Sequence, residues 1–182
     1  MAKKKVLYLH GFRSNPESET LKKLIEAYGY KFNFVAPRLV SDPSVIIKTI
    51  NETIKKEKPS LIIGSSMGGF YSLICDSGEI PIIAVNPCIN PQEHLKRYLN
   101  EFITNEEIER FKMFDINASV VSKSGKIRLL LATDDEVLGN THIQLFNELK
   151  KKSNIIEATA NFGHRAYPNG IPYLCELIND VI

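Results

Sequence analysis

Ser66 stands in Gly64-Ser65-Ser66-Met67-Gly68, between the apolar run Leu61-Ile62-Ile63 and the amphipathic stretch Met67–Cys75. A serine on so tight a strand-to-helix turn is held in strained backbone with its hydroxyl above the sheet. The flanking glycines leave room for the neighbouring strand and helix. The helix that follows aims main-chain N–H groups at negative charge developing nearby. This is how an attacking serine is presented. The pattern itself arises by chance in roughly one chain in twenty of this length, so its weight comes from where it stands.

A serine hydroxyl is a poor nucleophile at neutral pH and needs a base. Four histidines are available, His10, His94, His142 and His164. His164 lies in Asn161-Phe162-Gly163-His164, after the last apolar run and before a terminal helical stretch. In a parallel sheet the loops leaving the strands emerge at one edge, which puts this loop beside the Ser66 turn. The base in turn needs a carboxylate to hold its tautomer and stabilise its cation. Thr133-Asp134-Asp135-Glu136-Val137-Leu138 offers three in succession, only one of which can reach an imidazole. Serine, then acid, then histidine is the chain order of α/β-hydrolases. An oxyanion site completes the set. Its donors would be the amide of Met67, just after the serine, and that of Phe12 in His10-Gly11-Phe12 at the end of the first strand. Gly11 lets the chain come close to the substrate oxygen, and His10 reads as a brace for that loop.

The elements that must position these residues alternate along the chain. Strands are expected at Val6–Leu9, Phe32–Ala36, Leu61–Ile63, Pro81–Val85, Ile127–Leu131 and Ile155–Ala158. Helices are expected around Glu19–Tyr28, from Ser41-Asp42-Pro43 onward, at Met67–Cys75, at Thr141–Lys150 and from about Pro172. In the second helix Ser41 or Asp42 can cap, Pro43 suits the first turn, and Val45, Ile46, Thr49, Ile50 and Ile54 recur at helical spacing. Six apolar runs without polar alternation, spaced by helices, predict a parallel sheet covered on both faces. About forty residues, 87–126, interrupt the rhythm. Gln92–Phe102 and Glu106–Phe114 read as two helices there, an insertion of the kind that forms lids. Its Phe102, Phe111, Met113 and Phe114 could roof an acyl pocket or merely pack the helices together.

Bulk composition narrows the class. The 182 residues fit one domain, with 43% hydrophobic and 24% charged residues, as in soluble globular proteins. A net charge of +2, with no basic stripe among aromatics, argues against nucleic-acid binding. Cys75, Cys88 and Cys175 are too few and too scattered for a disulfide framework or a zinc site, which points to a reducing, cytoplasmic setting. No run approaches the ~20 apolar residues of a membrane span. The four-residue run Val6–Leu9 after Lys3-Lys4-Lys5 is too short for a secretory core.

Leu7-Tyr8-Leu9-His10-Gly11-Phe12-Arg13-Ser14, Gly64-Ser65-Ser66-Met67-Gly68-Gly69-Phe70-Tyr71, Val85-Asn86-Pro87 and Asp135-Glu136-Val137-Leu138 together resemble the YqiA-like esterases, small bacterial α/β-hydrolases. The resemblance spans nearly the whole chain. It implies a minimal α/β-hydrolase sandwich with parallel strands in the order 2-1-3-4-5-6, without the two leading strands of larger hydrolases. It also implies hydrolysis of a small-molecule carboxylic ester or thioester through a serine triad, without metal or cofactor. By that resemblance the acid is Asp135. Two positions depart from the family pattern: Asp134 stands where a glycine is usual, and Gly163 precedes His164 where an asparagine is usual. Other classes consistent with the residues are a non-catalytic binding module on the same fold and a peptidase or carbon–carbon hydrolase with the same triad. A phosphate-cradling nucleotide site is disfavoured, since Gly-x-Gly-x-x-Gly is absent and the glycine turn follows the third strand rather than the first. A homodimer is compatible with the sequence.

Overall fold

The computed structural model describes residues 2–40, 42–139 and 141–181. Six strands, β1 (Lys4–Leu9), β2 (Phe32–Val35), β3 (Leu61–Ser65), β4 (Ile82–Val85), β5 (Ile127–Ala132) and β6 (Ile156–Ala160), form one sheet in the order β2-β1-β3-β4-β5-β6. Every adjacent pair is parallel, with Leu9 opposite Gly64, Ser65 opposite Val85, and Val85 opposite Leu130. The strand order is the one expected from the sequence, and it reverses direction of progress at β1 and β3. A crevice opens at such a switch point, at the carboxyl ends of the strands.

Alternation along the strands divides the core. Leu7 and Leu9 point to one face with Ile62, Ile82, Leu129 and Leu131. Val6 and Tyr8 point to the other with Leu61, Ile63, Ile83 and Leu130. Helices α1 (Glu19–Tyr28) and α8 (Ile171–Val181) cover the second face, while α2 (Pro43–Glu57), α3 (Met67–Ile74) and α7 (Thr141–Lys150) cover the first. Helix starts follow the local chemistry. Ser18 caps α1 by accepting from the Leu21 amide, and Asp42 caps α2 by accepting from Ser44 at 2.9 Å with Pro43 in the first turn. Ser41, the other anticipated cap, lies outside the described residues. Ile46, Ile50 and Ile54 form the buried stripe of α2, whereas Val45 is half exposed. Among the described residues no helix is long and apolar enough to cross a membrane.

The segment between β4 and β5 differs from the two-helix expectation. Helix α4 covers only Pro91–Leu95, continues as a 3₁₀ turn over Lys96–Tyr98, and ends where Asn100 adopts a left-handed φ of 63°. Thr104 and Glu107 then form a capping box that starts α5 (Asn105–Arg110), followed by a second 3₁₀ turn, Phe111–Met113. A third helix, α6 (Ile116–Ser122), was not anticipated. Asp115 starts it by accepting from the Ala118 amide at 3.0 Å, and it buries only Val120 completely. Ile116 and Val120 lie one turn apart, but a single such pair in seven residues is too short a stripe to mark a helix.

The crossing of β1, β3 and α3 is packed backbone on backbone. A Cβ on Gly68 would overlap the Leu9 carbonyl, and one on Gly64 would overlap the Gly68 carbonyl. Neither obstruction is a side chain that could swing away. Gly68→Ala is therefore expected to destabilise the fold by about 3 kcal/mol or more, read as a lowered midpoint in urea unfolding. An unchanged midpoint would show that the two elements can separate.

Candidate active site

Ser66 occupies the turn between β3 and α3 with φ 55° and ψ −117°, a backbone region that costs a non-glycine residue on the order of 1–3 kcal/mol. Main-chain bonds hold it there. Its amide donates to the Val85 carbonyl at 2.9 Å, and its carbonyl accepts from Phe70 at 3.0 Å and Cys88 at 3.1 Å. The side chain is left free of the cap role and faces the β6–α8 loop.

From that loop comes His164, whose Nε2 lies 2.9 Å from Ser66 Oγ. Its Nδ1 lies 2.8 Å from Asp135 Oδ2. The Asp135 side chain is fully buried and the imidazole nearly so. Asp135 Oδ1 accepts from the amides of Val137 at 2.8 Å and Leu138 at 2.7 Å. Burial pushes the Asp135 pKa up, but the hydrogen bond and charge of His164, with these two amides, outweigh it and hold the carboxyl below its ordinary range. Asp135 is thus an ionised acceptor facing Nδ1.

The two neighbouring acids do other work. Asp134 Oδ1 accepts from the amides of Phe162 at 2.9 Å and Gly163 at 2.8 Å, and Glu136 Oε2 accepts from the His164 amide at 2.8 Å. Three consecutive carboxylates therefore bind one loop, two through its backbone and one through its imidazole. Asn86 grips the same loop from below. Its Nδ2 donates to the carbonyls of Gly163 at 3.0 Å and His164 at 2.9 Å, while its Oδ1 accepts from Ala132 at 2.7 Å. Sequence reading gave Asn86 no role. Its signal was a polar residue closing the otherwise apolar strand Ile82–Val85, and in the fold it is wholly buried.

On the opposite side of Ser66 stands the loop after β1. A Cβ on Gly11 would lie 3.2 Å from Ser66 Cβ, so the chain passes directly over the serine. Phe12 and Met67 both line the space next to it, and among the described residues neither amide donates to another protein group. His10 is buried beneath. Its Nε2 accepts from the Leu39 amide at 3.2 Å, so Nδ1 carries the proton and donates to the Gly11 carbonyl at 2.9 Å. The ring ties the β1 loop to the β2–α2 connection. Burial, reinforced by the Arg38 charge and opposed by the Gly11 carbonyl, lowers the His10 pKa from its ordinary value.

A depressed histidine pKa means that the unfolded chain takes up a proton which the folded chain refuses. The contribution of His10 to stability is complete above pH about 6.5 and is lost as pH falls below that value. We expect unfolding free energy to decline more steeply from pH 7.5 to 5 in the natural protein than in His10→Asn. Parallel curves would remove the neutral-brace role.

The remaining histidines lie apart from the serine. His94 lines the cleft, and its pKa is lowered by burial and then by Arg97. His142 is buried with Nδ1 toward the Gly139 carbonyl. Cys88 also lines the cleft, but burial pushes its thiol up to about 12, so it stays protonated. Of the four residues considered for a pocket roof, Phe102 and Phe111 line a cavity beside the site, whereas Met113 is largely exposed and Phe114 packs edge-on against Phe70. Among the described residues no group of three histidine, cysteine or acidic side chains could hold a metal ion.

The parallel sheet, its strand order and the serine turn after β3 define an α/β-hydrolase fold. Solved structures with this arrangement include Est1E from Butyrivibrio proteoclasticus, with a TM-score of 0.76 and 11% identity over 98% of this chain and 86% of that one. The Pyrococcus furiosus esterase Pf2001 aligns with a TM-score of 0.73 and 17% identity over 99% of this chain and 81% of that one. A lipase-esterase related protein from Clostridium acetobutylicum aligns at 0.70 and 16% over 98% and 94%. Within the fold, residues 5–176 match the family described as "Uncharacterised protein family (UPF0227)", the YqiA family, and the chain belongs to it.

Proposed function

We propose that the protein is a serine hydrolase acting on carboxylic esters or thioesters, with Ser66 as nucleophile, His164 as general base and Asp135 as orienting acid. One observation carries this reading: the unbroken chain from Asp135 Oδ2 through His164 to Ser66 Oγ, with links of 2.8 and 2.9 Å. Both distances are within the reach that proton transfer requires.

In this mechanism the Asp135 carboxylate accepts a hydrogen bond from Nδ1–H and so leaves Nε2 as a lone-pair acceptor facing Ser66 Oγ. Ser66 attacks the acyl carbonyl as His164 takes its proton, and the Phe12 and Met67 amides receive the oxyanion. Donors preorganised in this way lower the barrier by ~3 kcal/mol each. His164 then returns the proton to the departing alcohol or thiol, leaving an acyl-enzyme on Ser66. Water deprotonated by His164 then attacks the acyl carbon, and His164 passes that proton to Ser66 Oγ as the acyl–oxygen bond breaks and the acid departs. Asp135 stays ionised throughout and stabilises the imidazolium.

The esterases and the lipase-esterase related protein among the similar folds support this class, and one of those structures has ferulic acid, a carboxylic acid, bound to Est1E. A binding module with misaligned triad residues fits poorly with hydrogen-bonded links of this length. Turnover of p-nitrophenyl acetate and an acyl thioester by the folded protein, above the buffer rate, tests the proposal. Folded protein that turns over neither would overturn it.

A further inference from the structure

We infer that the substrate is an ester or thioester of an apolar acid with an acyl chain of medium length, about eight to ten carbons, joined to a polar leaving group. This deepens the hydrolase reading above and rests on it. Two spaces meet beside the serine, at Gly11, Phe12 and Met67, and the chemistry says which part of the substrate each one takes. The larger is an open cleft of about 970 Å³ lined by Ser66 and His164. The smaller is a cavity of about 250 Å³ lined by neither. Gly11, Phe12 and Met67 border both, so the carbonyl oxygen site lies at their junction.

His164 must hand its proton to the leaving group. The leaving group therefore lies on the histidine side, in the cleft, and the acyl chain extends past the oxyanion donors into the cavity. Lining agrees with this direction. Leu39, Val40, Ile46, Leu95, Phe102 and Phe111 give the cavity its apolar wall, Arg13, Arg38, Ser14 and His10 supply its polar part, and no carboxylate lines it. The cleft instead presents Asn15, Ser18, Lys22, Arg97, Glu136 and Arg165.

Volume sets the chain length. An apolar cavity of ~150 Å³ holds a six-carbon benzene, and by that proportion 250 Å³ holds about ten carbons. The outer wall belongs to the segment between β4 and β5. Phe102 is held there beneath the Arg13 guanidinium, whose carbon is 3.8 Å from the ring centre, and the Phe12 and Tyr98 rings meet at a tilt with centres 5.3 Å apart. The loop after β1 and the inserted segment thus form one wall of the cavity together.

The experiment is a series of p-nitrophenyl esters from acetate to palmitate, with the natural protein and Val40→Trp. Val40 lines the cavity yet is half exposed, so the larger ring can be accommodated without disturbing the core. In the natural protein kcat/KM rises about fourfold per methylene up to about eight to ten carbons and then stops rising. Val40→Trp lowers the octanoate-to-acetate ratio of kcat/KM at least tenfold. A flat series, a rise that continues unbroken to palmitate, or an unchanged ratio in Val40→Trp would overturn the acyl assignment. Labelling of Ser66 by a fluorophosphonate separates the two levels. With labelling and acetate turnover present, such a result removes only the subsite; without either, the hydrolase reading falls and the subsite with it.

Discussion

Ser66→Ala is expected to lower kcat about a millionfold while the protein remains folded. The turn that holds Ser66 is fixed by main-chain bonds to Val85, Phe70 and Cys88, none of which needs the hydroxyl. Alanine at φ 55° is strained much as serine is. What disappears is the only oxygen within reach of His164 Nε2 among the described hydrogen bonds, and with it the acyl-enzyme. His164→Ala should cost a similar factor, and the double variant little more than either single one, because nucleophile and base act as a unit. Additive losses would mean that the two residues serve separate steps.

Asp135→Asn is expected to lower kcat by about 10⁴. The substituted side chain can keep its oxygen on the Val137 and Leu138 amides. Its NH₂ then faces His164 Nδ1, where the carboxylate oxygen had been. An imidazole meeting a donor at Nδ1 places its own proton on Nε2, and the serine loses its acceptor. The same change alters the response to acid. Because the folded-state pKa of Asp135 is depressed, its stabilising contribution is present above the ordinary carboxylate value and is lost as pH falls through the lower, folded value. Asp135→Asn should accordingly flatten the acid side of the stability profile. An Asn variant of near-natural kcat would transfer the orienting role to another group.

The contrast among Asp134, Asp135 and Glu136 shows where sequence reading runs out. Apolar runs such as Leu61-Ile62-Ile63 announce buried strands, and their spacing by helices was enough for the parallel sheet, whereas the strand order followed from the family resemblance. The position of Gly64–Gly68 between a strand and a helix marks the turn that bears Ser66. Which of three adjacent carboxylates meets an imidazole depends on loop backbone angles that no residue pattern records. In the fold all three meet the His164 loop, Asp134 and Glu136 through its amides. The role of Asn86 was hidden for a related reason, since its partners are carbonyls 77 and 78 residues away. The inserted segment defeated the helical pattern because its pieces are short. Pro91, Thr104 and Asp115 start helices of five to seven residues, each carrying too few apolar positions to show a period.

Asp134→Asn and Glu136→Gln leave the imidazole its carboxylate and loosen only the loop that presents it. Their effects on kcat should be far smaller than that of Asp135→Asn, so the three positions are separable in one set of rate measurements.

The central claim is that Ser66 is activated by His164. Its most direct test is intact-mass measurement after incubation with a fluorophosphonate at near-neutral pH, on the natural protein, Ser66→Ala and His164→Ala. The expected result is a single adduct on the natural protein, mapped to Ser66, and none on either variant. An unlabelled natural protein shown to be folded, or an adduct that persists in Ser66→Ala, would contradict it.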